Sequence, residues 1–135
     1  MIGRVLLVDD NEPWRRFVCD ALKDHPRWQV VAEGSNGFDA VQKAAALTPD
    51  LILLDIEMPA RSGIAAAREI LATDPQSRIL FISGYRSAAI VGLALATGAG
   101  GYLLKSDAHK LVDAMDAVAG GHRFISDGLA CECGE

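Results

Sequence analysis

Short runs of Val, Ile and Leu recur along the chain, separated by longer segments whose apolar residues return at helical spacing. The runs fall at residues 4–8, 29–32, 51–54, 78–82 and 101–104. Each is nearly continuous rather than alternating, as expected of strands buried on both faces of a parallel sheet. Residues 12–24, 37–47, 64–73 and 87–97 lie between them and 107–119 follow, each long enough for about three helical turns. The pattern predicts five βα units, an α/β fold in which five helices cover a five-stranded parallel sheet. Pro13 stands early in the first helix, Pro49 and Pro75 follow the second and third, and Gly98 follows the fourth, so the boundary residues agree. In the last helix Leu111, Val112, Met115 and Val118 share one face while Lys110, Asp113 and Asp116 lie elsewhere, which predicts packing on the sheet.

One segment, residues 87–104, is uncharged over 18 positions, the lower length limit for a membrane span. Gly92, Gly98, Gly100 and Gly101 break it, and a helix ending before a short strand is the expectation. With 135 residues, half of them hydrophobic, the chain suits a single domain, here residues 1–120, followed by a partly ordered tail at 121–135 that holds no output domain. Eighteen acidic against thirteen basic residues give a formal charge of -5, so no basic stripe is available and direct nucleic-acid binding is not expected. Three cysteines, Cys19, Cys131 and Cys133, are an odd number without a disulfide framework. The start of the chain has no signal-peptide core, and a cytoplasmic location is the expectation. The Cys-Glu-Cys tail lacks partners for a four-ligand metal site, and His25, His109 and His122 show no ligand spacing. Trp14 and Trp28 are expected to pack around the first helix.

In open parallel α/β sheets ligands bind beyond the carboxyl ends of the strands. The first strand is followed there by Asp9 and Asp10, the third by Asp55, the fourth by Ser83 and the fifth by Lys105. Aspartates after a strand can simply cap the next helix, but three gathered on one rim must take up protons or bind a cation. An all-oxygen, open site suits Mg2+ better than calcium or zinc. Lys105 can neutralise residual charge or meet an incoming anion, and Ser83 can donate to the same anion. Such parts suit phosphoryl transfer to an aspartate, with Asp55 as acceptor and Asp9 and Asp10 holding the metal.

The motifs resemble those of response-regulator receiver domains of two-component signalling over roughly residues 3 to 120. Val-Asp-Asp-Asn-Glu at 8–12 is similar to the family's acidic pair, Leu-Leu-Asp-Ile-Glu-Met-Pro at 53–59 with Gly63 to its phospho-acceptor loop, Phe-Ile-Ser-Gly at 81–84 to its hydroxyl-bearing switch strand, and Gly-Tyr-Leu-Leu-Lys at 101–105 to its lysine strand. The resemblance implies a flavodoxin-like fold with strand order 2-1-3-4-5. It also implies that Asp55 accepts a phosphoryl group from a sensor histidine kinase. Asp10, Asp55 and the backbone carbonyl of Glu57 would ligate Mg2+, Asp9 would act through water, and Ser83 and Lys105 would hold the phosphoryl oxygens. Ser83 and Tyr102 would form the switch, Tyr102 turning inward on phosphorylation to reshape the surface of the fourth helix, fifth strand and fifth helix. The endings Gly-Tyr-Leu-Leu-Lys-Ser and Gly-His-Arg-Phe-Ile-Ser most resemble NarL/FixJ receivers, which usually precede a transcriptional output domain.

Two positions and one helix depart from the family pattern. Gly84 replaces a small alanine, Ser106 a frequent proline, and the fourth helix carries no charge, which marks its surface as a homodimer or output-docking patch. Glu57 and Tyr85 flank the acceptor, where they can bear on an attacking water. A flavin module of this fold is disfavoured because Asp9 and Asp10 repel an anion, and an aspartate-based phosphatase keeps only Glu57, two residues beyond Asp55, in its favour. The alternative that stands is a phosphate-independent receiver-like interaction module.

Overall fold

Strand β1 (Gly3–Val8) lies in the interior of a parallel sheet and delivers the chain into α1 (Glu12–Leu22). The alternation continues through β2 (Trp28–Gly34), α2 (Gly37–Leu47), β3 (Leu51–Leu54), α3 (Gly63–Thr73), β4 (Ile79–Ser83), α4 (Ala88–Leu95) and β5 (Gly101–Leu104). A 3-10 segment (Lys105–Lys110), α5 (Leu111–Ala119) and β6 (Phe124–Ile125) complete it. These elements come from a computed structural model that describes residues 2–129. Every strand pairing is parallel, and the order is β2-β1-β3-β4-β5-β6. This is the flavodoxin-like, doubly wound arrangement with one strand added at the β5 edge.

Strand residues point alternately to the two faces, and each face has its own core. Leu6, Val8, Ile52, Leu54, Phe81 and Tyr102 meet Ala40 of α2, Ala66, Ala67 and Ile70 of α3, and Val91 and Ala94 of α4. Val5, Leu7, Leu53, Leu80, Ile82 and Leu103 meet Val18 and Leu22 of α1 and Leu111, Ala114, Met115 and Val118 of α5. Continuous apolar strands are therefore required, because both faces of β1, β3, β4 and β5 are dry. Trp28 is buried with the α1–α5 layer, and its indole N–H donates to Asp116 Oδ1 at 2.9 Å.

Four helices begin with a polar side chain bonded to the backbone three residues on: Asn11 accepts from Trp14, Asn36 from Asp39, Ser62 from Ala65 and Ser87 from Ile90. Asn11 thus takes the capping role that Asp9 and Asp10 could otherwise have filled.

Two expectations need correction. Among the described residues the sheet has six strands, one more than the five expected. Phe124–Ile125 is too short to show any periodicity, and it joins β5 because Gly101 has no side chain: a Cβ there would stand 2.5 Å from the Phe124 carbonyl oxygen. The Ser126 N–H then bonds the Tyr102 carbonyl at 3.0 Å, and the buried Ser126 hydroxyl accepts from the Leu104 N–H at 2.8 Å. The fifth helix also starts later than the sequence pattern predicts, since residues 105–110 form tighter turns interrupted at Asp107 (φ -103, ψ 29). Among the described residues no helix is long and apolar enough to cross a membrane. Cys131 and Cys133 lie outside the described residues.

Candidate functional site

Parallel register brings the candidate residues together. Val8 pairs with Leu54, so the chain leaves β1 at Asp9 beside Asp55 leaving β3, and the Asp55 N–H bonds the Val8 carbonyl at 3.0 Å. Ser83 pairs with Leu104, so Lys105 follows next to the end of β4. All of these side chains belong to the carboxyl-terminal end of the sheet, where Asp10, Asp55, Glu57, Ser83, Tyr85 and Lys105 line a cleft of about 670 Å3. Gly63 closes the loop after β3 onto Asp55. Its N–H bonds the Ile56 carbonyl at 2.7 Å, and a Cβ there would lie 1.8 Å from the Asp55 carbonyl oxygen.

One carboxylate oxygen from each of Asp9, Asp10 and Asp55 lies within 4.8 Å of the others. Asp9 and Asp55 are buried and Asp10 is exposed. The Lys105 ammonium stands 2.9 Å from Asp9 Oδ2, and the Asn11 N–H donates to Asp9 Oδ1 at 2.8 Å. One cation against three carboxylates leaves the cluster short of positive charge. Burial, reinforced by the Asp9 carboxylate and opposed by Lys105, pushes the Asp55 carboxyl up to about 6. The donor set is all oxygen and partly open to solvent, which fits a hard divalent cation.

Tyr85 ties the other wall together. Its N–H donates to the Ser83 hydroxyl oxygen at 3.1 Å, its carbonyl accepts from the Tyr102 hydroxyl at 2.8 Å, and its own hydroxyl donates to the Glu57 carboxylate. Tyr102 is fully buried, and burial pushes its phenol up. Tyr102 thus points inward, the orientation that the resemblance assigns to the phosphorylated state. The aromatic reaches the Tyr85 carbonyl directly, and the core of the α2–α4 face encloses its ring. The peptide bonds are all trans among the described residues, including that before Ser106.

Residues 5–116 match the family model described as "Response regulator receiver domain". The chain belongs to the receiver-domain family. Among curated relatives of this receiver, the transcriptional regulatory protein DegU of Brevibacillus brevis is 37% identical over 90% of this chain and 52% of its own length. LnrK of Bacillus subtilis, also a transcriptional regulatory protein, is 32% identical over 96% of this chain and 59% of its own. A protein-glutamate methylesterase/protein-glutamine glutaminase of Pseudoalteromonas translucida is 43% identical over 78% of this chain but only 27% of its own. The receiver thus spans between 27% and 59% of the length of these curated relatives. In structure it is similar to a LuxR-family two-component response regulator of Aurantimonas, with a TM-score of 0.94, 32% identity and coverage of 99% of this chain and 96% of that one. The receiver domain of the NarL-like regulator of Mycobacterium tuberculosis gives 0.84 at 34% identity, covering 90% of this chain and 98% of that one.

Several residues around the receiver's site carry no motif signal. Arg15 donates to the Asp9 carbonyl at 2.6 Å and pairs with Glu33 at 3.0 Å, holding the acidic turn against β2. Trp14 places its ring 5.2 Å from the Lys105 ammonium. It stands in the first turn of α1, immediately after the acidic turn, and no sequence spacing links it to Lys105.

Proposed function

We propose that this receiver is a phosphoryl acceptor: Asp55 takes a phosphoryl group from a sensor histidine kinase in the cytoplasm and alters the surface of α4, β5 and α5 to control a transcriptional output. The observation that carries this reading is the buried Asp55 carboxylate gathered with Asp9 and Asp10, with the Lys105 ammonium already on Asp9. In the transfer the P–N bond of a phosphohistidine breaks, a P–O bond to Asp55 forms, and the released imidazole takes up a proton. Mg2+ held by Asp9, Asp10, Asp55 and the Glu57 backbone carbonyl would supply neutralisation of the charge that builds up. Lys105 and Ser83 are assigned to the phosphoryl oxygens, the first by charge and the second by its hydroxyl. Deprotonation of Asp55, which metal-free conditions oppose, is favoured by any cation in the cluster. The step needs no general base, since the nucleophile is a carboxylate.

On α4, Leu93 is 51% exposed and no charged residue breaks the surface. This supports α4 with β5 and α5 as the place where a second copy or an output element would rest. Ser83 and Tyr102 are assigned as the switch pair that would report to it, through Tyr85.

Incubation with Mg2+ and a small-molecule phosphodonor tests the reading. The expected result is a gain of about 80 Da, the mass of one phosphoryl group, labile to hydroxylamine and absent in Asp55→Asn. Repeated turnover of the donor would favour a phosphatase instead. The buried Tyr102 supports a second reading, a phosphate-independent interaction module already in its signalling conformation. No mass gain, together with partner binding indifferent to Asp55→Asn, would select it.

A further inference from the structure

Lys105 has its ammonium held at two places of different chemistry. Its Nζ is 2.9 Å from Asp9 Oδ2 and 5.2 Å from the centroid of the Trp14 ring. A cation over an aromatic face at under ~6 Å is attracted by the ring quadrupole, and indole is the strongest of the aromatic side chains in this respect. The ring is itself fixed. The Trp14 backbone N–H donates to the Asn11 side chain at 2.8 Å, the ring stacks on Phe17 with centroids 5.2 Å apart and planes at 29°, and the side chain packs on the α1–α5 core. Turning the indole away would break the stack and this packing together.

The two anchors respond differently to a cation. Asp9 belongs to the acidic cluster, so a divalent ion entering it competes with the ammonium for carboxylate oxygens. The indole face offers a hard ion no oxygen and keeps its attraction for Lys105. Without Trp14, an ammonium displaced from Asp9 would be free to move into solvent, since the Lys105 side chain is 27% exposed.

We propose that Trp14 is a positioning residue for Lys105: its ring holds the ammonium at the rim of the acidic cluster when a cation takes Asp9, ready for an anionic group on Asp55. Only the arrival of that group rests on the proposed function; the placement of the ammonium does not.

Two measurements on the full chain decide it. In NMR spectra recorded without metal and with saturating Mg2+, the Lys105 εCH2 signals should be shifted upfield by the indole ring current in both states. In Trp14→Leu they should move to the position of a solvated lysine, most clearly with Mg2+, and Trp14→Phe should restore part of the shift. Signals that leave the ring when Mg2+ binds to the native protein would overturn the proposal. In the second measurement, Trp14→Leu should slow Mg2+-dependent phosphoryl uptake from a small donor about 2- to 10-fold, the range for loss of a partly exposed cation–π contact. Trp14→Phe should recover most of the rate, and in a Lys105→Met background Trp14→Leu should cost nothing further. The same slowing with and without Lys105 would show that Trp14 acts through the fold alone and would overturn the proposal. Failure of the native protein to take up phosphoryl would remove the proposed function, and the NMR comparison would then decide the role of Trp14 by itself.

Discussion

Replacing Asp55 by Asn should make the metal-free protein more stable, although it removes the acceptor. The carboxyl sits buried beside Asp9 and is raised from its ordinary 3.8 to about 6. At ~1.4 kcal/mol per pH unit, this corresponds to about 3 kcal/mol held against the ionised folded state at pH above both values. The sign follows from proton binding. The folded carboxyl holds its proton more tightly than the unfolded one, so the stability it contributes is fully present below 3.8 and is lost as pH rises through about 6. Asparagine keeps the shape and carries no charge at any pH. Urea unfolding with a chelator at pH 7.5 should therefore show the variant ahead by about 2–3 kcal/mol, a midpoint about 1–2 M higher, and the advantage should shrink towards zero near pH 4. Added Mg2+ should narrow the gap at pH 7.5, because it binds the native fold of the wild-type chain more strongly. A variant no more stable than the wild type at pH 7.5, or equally favoured at both pH values, would refute the idea that burial, reinforced by the Asp9 charge, penalises the ionised Asp55 carboxyl.

Other substitutions probe separate parts of the same structure. Lys105→Met should leave the buried Asp9 carboxylate without its 2.9 Å partner, destabilising the metal-free protein by about 1–3 kcal/mol while strengthening Mg2+ binding; calorimetric titration showing weaker binding would contradict this. Gly63→Ala forces a Cβ onto the Asp55 carbonyl and should cost about 2–4 kcal/mol in thermal or urea unfolding, with loss of Mg2+ affinity as the acceptor loop shifts. Ser126→Ala removes the acceptor of the buried Leu104 N–H, and a loss of about 1–3 kcal/mol is expected, with faster hydrogen exchange at Leu104 and Ser126 as the local check.

The sheet and its five covering helices are legible because both faces are dry: runs such as Leu51–Leu54 are apolar without alternation, a pattern that a strand solvated on one face does not produce. Strand order is not written locally. It depends on which helices cover which face, and here it entered through family motifs. The sixth strand escaped because two residues, Phe124 and Ile125, carry no period, and what admits them is a glycine on another strand. At the rim, Asp9, Asp10, Asp55, Ser83 and Lys105 are legible as the residues that follow strands. Contacts made by side chains crossing between elements are not: the Lys105 approach to Trp14, the Arg15 bond to the Asp9 carbonyl and the inward Tyr102 all depend on rotamers that sequence spacing leaves open.

Tyr85 grips Ser83 through its amide, Tyr102 through its carbonyl and Glu57 through its phenol. A residue shared in this way acts like a single rivet through three plates. A shift of one plate pulls on the other two, so under the proposed switch an event at the rim would be passed towards Tyr102 in β5 as one step. Variants that break only the phenol contact would loosen the rivet and turn that step into a gradual drift.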